Sequence, residues 1–217
     1  MIADDCCSRK GDLIVELGRK ADQRRVLVIV MVINLAMFFA EFGGGLIARS
    51  SALMADSVDM LGDAFVYGLS LYALKRGPRW EAGAALAKGG IILLFGLAVI
   101  AEIVDKLANG IPPSSTLMLI FGSAALLANL ACLALLWRFR EENVNMASTF
   151  ECSRNDVASN IGVLAAAGLV AASGTAWPDI AVGVIIAMIF LRSAWRVLAA
   201  AIPAWRDARP LPPGTLQ

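Results

Sequence analysis

Asp59 and Asp63 stand four residues apart, and so do Cys152 and Asp156. On a helix, positions i and i+4 share one face with Cβ atoms about 5–6 Å apart. Each segment therefore offers two donor atoms from a single stripe. Three carboxylates and a thiol make four donors, the coordination number that Zn²⁺ prefers, and a thiolate adds affinity for softer divalent ions. The chain contains no histidine, so the usual metal ligand and the usual proton shuttle are both absent. The chemistry these residues suit is the binding of one small divalent cation.

The elements that must hold these pairs are apolar. Of the 217 residues, 59% are hydrophobic and 17% charged, with a mean hydropathy of +0.71. A soluble domain is nearer 45–50% apolar and about 25% charged. Segments nearly free of charge lie at 26–48, 52–74, 82–104, 117–137, 147–172 and 180–200. Each is close to the ~20 residues needed to cross a bilayer as a helix. The expected fold is an all-α integral membrane protein of six transmembrane helices, with no soluble domain. Its parts are a tail over 1–25, a transport domain over 26–200 and a short Pro-rich tail over 201–217. The pattern excludes soluble enzymes, secreted disulfide scaffolds and disordered chains. Adjacent Cys6 and Cys7 with distant Cys132 and Cys152 make no disulfide framework.

Lysine and arginine orient the spans. Fifteen basic residues fall on one side: Arg9, Lys10, Arg19, Lys20, Arg24, Arg25, Lys75, Arg76, Arg79, Arg138, Arg140, Arg192, Arg196, Arg206 and Arg209. Only Arg49 and Lys106 fall on the other. Both termini are therefore expected in the cytoplasm, in a multi-pass protein of the cell (inner or plasma) membrane. Trp80, Trp137, Trp177 and Trp195 sit near span ends, where an apolar ring with a polar N–H is at home. Counted along the helices at 1.5 Å per residue, both pairs come near the midplane of a hydrocarbon core about 30 Å thick.

An ionised group at that depth costs roughly 2.5–3.5 kcal/mol, so each needs a reason. Asp59, Asp63 and Asp156 have none cheaper than a ligand site, and the spacing of Cys152 from Asp156 places the thiol with them. Asp56 is expected to bond locally near the interface. Glu41, Glu102 and Asp105 are expected to reach water at the outer ends of spans one and three. Lys88 is expected to snorkel to the cytoplasmic side. Glu151 and Arg154 point off the Cys152–Asp156 stripe and can pair with each other. Cys132 reads as packing. Cys6 and Cys7 read as free thiols of a tail. Asn34, Asn129 and Asn160 read as bridges between helices.

With these residues in view, the chain resembles the cation diffusion facilitator family of divalent-metal transporters. The stretch NLAMFFAEFGGGLIARSSALMADSVDMLGDAFVYGLSLYAL (34–74) is similar to that family's first two spans. The resemblance assigns Asp59 and Asp63 to the metal pair of span two, and Cys152 and Asp156, followed by NIGVLAAA, to that of span five. It implies a homodimer that exports Zn²⁺-like ions from the cytoplasm in exchange for protons. Cys152 stands where the family usually has His, which tilts preference toward Cd²⁺, Zn²⁺ or Hg²⁺. The family's soluble metal-sensing domain and His-rich loop are not found in the chain as read, so a dimer is expected to be held by membrane helices.

Three carboxylates and a thiol cannot all be ionised at the midplane without a cation, so protons and metal should compete for them. The expected function is thus proton-coupled export of Zn²⁺ or Cd²⁺, with metal and protons as substrates and the bilayer as surroundings. No cofactor, catalysis or nucleic-acid partner is expected. A non-transporting metal-binding sensor or partner subunit is the alternative, and an intramembrane enzyme using paired aspartates a more distant one.

Overall fold

A computed structural model describes residues 3–72, 78–141 and 144–207, without the side chains of 3–20 and a few others near the helix ends. Six helices follow one another: α1 (Ala3–Ala48), α2 (Ser51–Tyr72), α3 (Pro78–Asn109), α4 (Ser115–Trp137), α5 (Val144–Ser173) and α6 (Trp177–Asp207). No strand occurs among the described residues. The charge-free segments of the sequence correspond to these helices one for one. Four stretches, 21–48, 115–137, 149–173 and 177–206, are long and apolar enough to cross a membrane by themselves. Lys75, Arg76 and the stretch 208–217 lie outside the described residues, as do the side chains of Cys6, Cys7, Arg79 and Trp80.

The bundle is apolar on its outside. Phe39, Ile47, Leu94, Leu127, Leu169 and Ile189 all expose more than half of their surface. Water would not tolerate such a belt, whereas lipid tails match it. Helix α2 is the exception, because none of its large apolar residues over 51–68 is exposed. It packs against all five other helices, and the run Ser51–Val58 is wholly buried. This central position explains how one helix can carry Asp56, Asp59 and Asp63: its acids meet protein rather than lipid.

The three turns at the α1–α2 end each use a left-handed residue: Arg49 (φ 54°), Gly110 (φ 65°) and Gly174 (φ 65°). Gly110 N–H donates to Lys106 C=O and Gly174 N–H to Val170 C=O, both at 2.8 Å. These are αL helix ends, natural for glycine. Arg49 does the same job with a side chain attached, and the following Ser50 N–H reaches Gly45 C=O at 2.8 Å. Ser114 N–H, from the α3–α4 turn, satisfies the carbonyl of Ala48 at 2.9 Å.

Close backbone approach sets the helix spacing here. A Cβ on Gly45 would lie 2.7 Å from Met54 Cγ and 3.0 Å from Met54 N. A Cβ on Gly183 would lie 2.9 Å from the carbonyl carbon of Ser51. Helices α1 and α6 thus clasp the start of α2 from two directions.

Candidate functional site

The i, i+4 pairs lie on α2 and α5, two helices in contact. Asp63 and Asp156 are buried, with 8% and 5% of their surface exposed. The two carboxyls, one from each helix, lie against each other. Cys152 is a free, half-buried thiol, and Asp59 is half-buried one turn from Asp63. Electrostatically, Cys152 feels Asp63, Asp156 and Asp59, so all four groups share one neighbourhood. Among the described residues, no three Cys, Asp, Glu or His side chains converge on a single point in this arrangement. Asp156 Oδ2 is buried without a hydrogen-bond partner, which leaves a strong acceptor available beside Asp63.

Tyr67 was not singled out in the sequence. Its hydroxyl donates to Asp63 Oδ2 at 2.8 Å, and the ring is 1% exposed. The signal was present, since 59, 63 and 67 fall on one stripe of α2. Such a bond orients the carboxylate and leaves its other oxygen for a ligand.

Lys88 departs from expectation. Rather than simply snorkelling away, it is half-buried and its ammonium interacts with Asp63, Cys152 and Asp59. Packing explains the placement. Ile92, one turn further along α3, is buried against α2, where a Cβ on Gly62 would touch its Cδ1 at 3.3 Å. Position 88 lies on the same stripe of α3 as Ile92.

Asp56 and Glu41 also differ from their readings. Asp56 is 2% exposed and bonds not to backbone but to the amide of Asn160, whose Nδ2 donates to Asp56 Oδ2. Asn129 Nδ2 in turn donates to Asn160 Oδ1 at 2.8 Å. The asparagines do bridge helices, as expected, tying α2, α5 and α4 together. Glu41 does not reach water: it is 0% exposed and neighbours Asp56. Asp105 is at the surface and accepts from Asn109 Nδ2 at 2.7 Å. Arg154 pairs with Glu151 at 2.5 Å on the exposed face, and Cys132 is packed in a buried apolar cluster with Val30, Tyr67 and Leu136. Asn34 Nδ2 donates within its own helix to Val30 C=O at 2.9 Å and makes a long contact of 3.9 Å with Cys132 Sγ.

A second polar node closes the α1–α2 end. Asp179, in the first turn of α6, is 0% exposed. It accepts from Ser50 Oγ (2.5 Å), Ser51 N (2.9 Å), Ser51 Oγ (2.7 Å) and Ala52 N (3.2 Å). Lys106 of α3, 3% exposed, completes it with Nζ at 2.5 Å. An acid in the first turn of α6 looks in sequence like a cap for its own helix. Here it caps α2, because the close approach at Gly183 brings the start of α2 beside it.

Comparison with known proteins bears on these arrangements. The model of the cation efflux transmembrane domain matches residues 27–204. The chain is 29% identical over 194 residues to a zinc transporter, ZitB, of Yersinia pestis, covering 83% of this chain and 62% of that protein. It is 26% identical over 201 residues to a cadmium, cobalt and zinc/H(+)-K(+) antiporter of Bacillus velezensis, covering 86% and 64%. It is 28% identical over 192 residues to the metal cation efflux system protein CzcD of Cupriavidus metallidurans, covering 82% and 60%. The chain thus spans less than two thirds of the length of these relatives.

Proposed function

Because the chain belongs to the cation efflux transmembrane family, we propose that it exports divalent metal ions of the Zn²⁺ and Cd²⁺ type in exchange for protons. The observation that carries this reading is the meeting of Asp63 from α2 and Asp156 from α5 inside an apolar bundle. Among the described residues neither buried carboxyl makes a direct ion pair, and the single Lys88 ammonium nearby does not balance three acids, so the group calls for a further cation. Asp59 and Cys152, one turn away on the same stripes, complete a four-donor set as the helices close on the ion. The names of the relatives, a zinc transporter and a cadmium, cobalt and zinc antiporter, support the same cargo.

The basic residues put both termini in the cytoplasm. Metal then enters from the side of Cys152 and leaves past the end closed by Asp179. Metal binding requires deprotonated ligands, so loading drives protons off and protonation from outside drives the metal out. The titration belongs to the ligands as a group. Two copies joined through their apolar helix faces are the expected assembly.

The test is Zn²⁺ and Cd²⁺ flux in proteoliposomes under an imposed pH gradient, comparing wild type with Asp156→Asn. Flux should follow the gradient in the wild type and vanish in the variant, with the bundle still folded. Folded wild-type protein that binds metal but moves none under either gradient would replace the carrier with a metal-binding sensor or subunit.

A further inference from the structure

One group of acids is not used by the metal pairs. Glu41 of α1 is fully buried, and both its carboxyl oxygens lack a hydrogen-bond partner. Packing fixes its level in the bundle. One turn further along α1, Gly45 abuts Met54, while one turn back Phe38 packs with Met60 and Leu61. Between these contacts Glu41 meets Asp56 of α2. Asp56 receives the Asn160 amide, and Asn160 is held in turn by Asn129. All four residues are 2% exposed or less. One continuous polar chain thus crosses α1, α2, α5 and α4.

A donor count shows what this chain lacks. Two carboxylates offer four oxygens, and each asparagine amide is already pointed along the chain. A single amide proton reaches Asp56, and nothing reaches Glu41. Among the described residues no Lys or Arg pairs with either acid; Asp56 is the titratable neighbour of Glu41, and Asp56 itself feels Asp59 one turn along α2 and Asp156 of α5. On the α4 side the neighbouring turn of α1 meets an aromatic ring, with Phe121 against Gly44. Buried carboxylates side by side need a cation, and the polar atoms that meet here are carboxylate and amide oxygens and amide N–H groups. The smallest cation that turns one acceptor into a donor is a proton.

We propose that Glu41 and Asp56 form a second cation site, distinct from the Asp59–Asp63–Cys152–Asp156 set, that holds an exchangeable proton. The site lies between the metal pairs and the end closed by Asp179, on the side from which counter-ions must arrive under the export reading, on which this inference rests. A proton stored there neutralises the Glu41–Asp56 pair while metal occupies its own ligands. Its release and reloading then add a step to the exchange that does not need the metal ligands to change partners.

The test uses the full chain in liposomes, read by infrared spectroscopy at neutral pH and by Cd²⁺ binding and flux. A carboxylic-acid C=O band should persist in wild type saturated with Cd²⁺ and in Asp156→Asn. It should be lost in Glu41→Gln and return in Glu41→Asp. Glu41→Gln should keep Cd²⁺ affinity within about twofold while flux loses its dependence on the pH gradient. If Glu41→Gln does not fold, Asp56→Asn must lose the band instead. A tenfold or greater loss of Cd²⁺ affinity in Glu41→Gln would assign the pair to the metal site and overturn the proposal. So would an unchanged band together with unchanged pH dependence. Wild type that moves no Cd²⁺ would refute the transport reading alone, because the infrared result still decides whether the proton site exists.

Discussion

Removing the charge of Asp179 should be among the most destabilising single changes in this protein. Its carboxylate receives four hydrogen bonds from residues 50–52 and the Lys106 ammonium. In Asp179→Asn, Lys106 keeps a full charge at 3% exposure with no counter-charge, and an orphaned partner of a buried pair costs roughly 3–5 kcal/mol. The reverse change is milder. In Lys106→Met, Asp179 still accepts from Ser51 N, Ala52 N and two hydroxyls at the positive end of α2, so the loss is one charged contact, about 1.5–3 kcal/mol. Asp179→Asn with Lys106→Met removes the stranded charge, so the double variant should be more stable than Asp179→Asn alone. Unfolding of all four forms in mixed micelles gives the cycle. Lys106→Met costing as much as Asp179→Asn, or a double variant equal to the sum of the singles, would refute an interlocked node.

Three further outcomes follow from the site and its packing. Cys152→Ser should weaken Cd²⁺ transport more than Mn²⁺ or Co²⁺ transport, since only the soft donor is lost; equal losses in a flux series would remove Cys152 as a selective ligand. Lys88→Gln should tighten Cd²⁺ binding by roughly 30- to 150-fold at neutral pH, where the ammonium keeps its charge. A unit charge repels a divalent ion by roughly 2–3 kcal/mol at about 10–15 Å and an effective dielectric constant of about 20, and calorimetry showing no change or weaker binding would contradict this. Gly183→Ala should cost about 1–3 kcal/mol by thermal unfolding, because its methyl would meet the Ser51 backbone, which cannot rotate aside; an unchanged midpoint would show that α6 can shift.

The helices and the i, i+4 placing of 59/63 and 152/156 were legible in the sequence because both depend on local spacing. A charge-free run of some twenty residues is long enough to span a membrane in any context, and 59/63 and 152/156 share a face of their helices wherever those helices go. Contacts between helices were not legible. Glu41 lies about two turns from the end of α1 and Asp56 between one and two turns from the start of α2, and at that depth nothing local distinguishes a buried acid from one reaching water. Asp179 sits where its own helix would welcome an acid, so its service to α2 had no sequence signal. Lys88 was misread because a long side chain near a span end normally snorkels, and only the packing of α3 on α2 turns position 88 toward the acids. Tyr67 could have been found by extending the 59/63 stripe by one turn.

The node at Asp179 also sets the mechanics of α2. Fastened at Ser51 and Ala52 to both α3 and α6, this helix has a fulcrum at one end. Displacement under a rigid tilt then grows with distance from that fulcrum. At 1.5 Å per residue, Asp56 lies about 8 Å along the lever and Asp63 about 18 Å. A tilt of about 10° therefore carries Asp63 by about 3 Å and Asp56 by only about 1 Å. Such a stroke would shift Asp63 against its α5 neighbour Asp156 far more than Asp56 against Glu41, so one rod with one hinge would move its two acid pairs unequally.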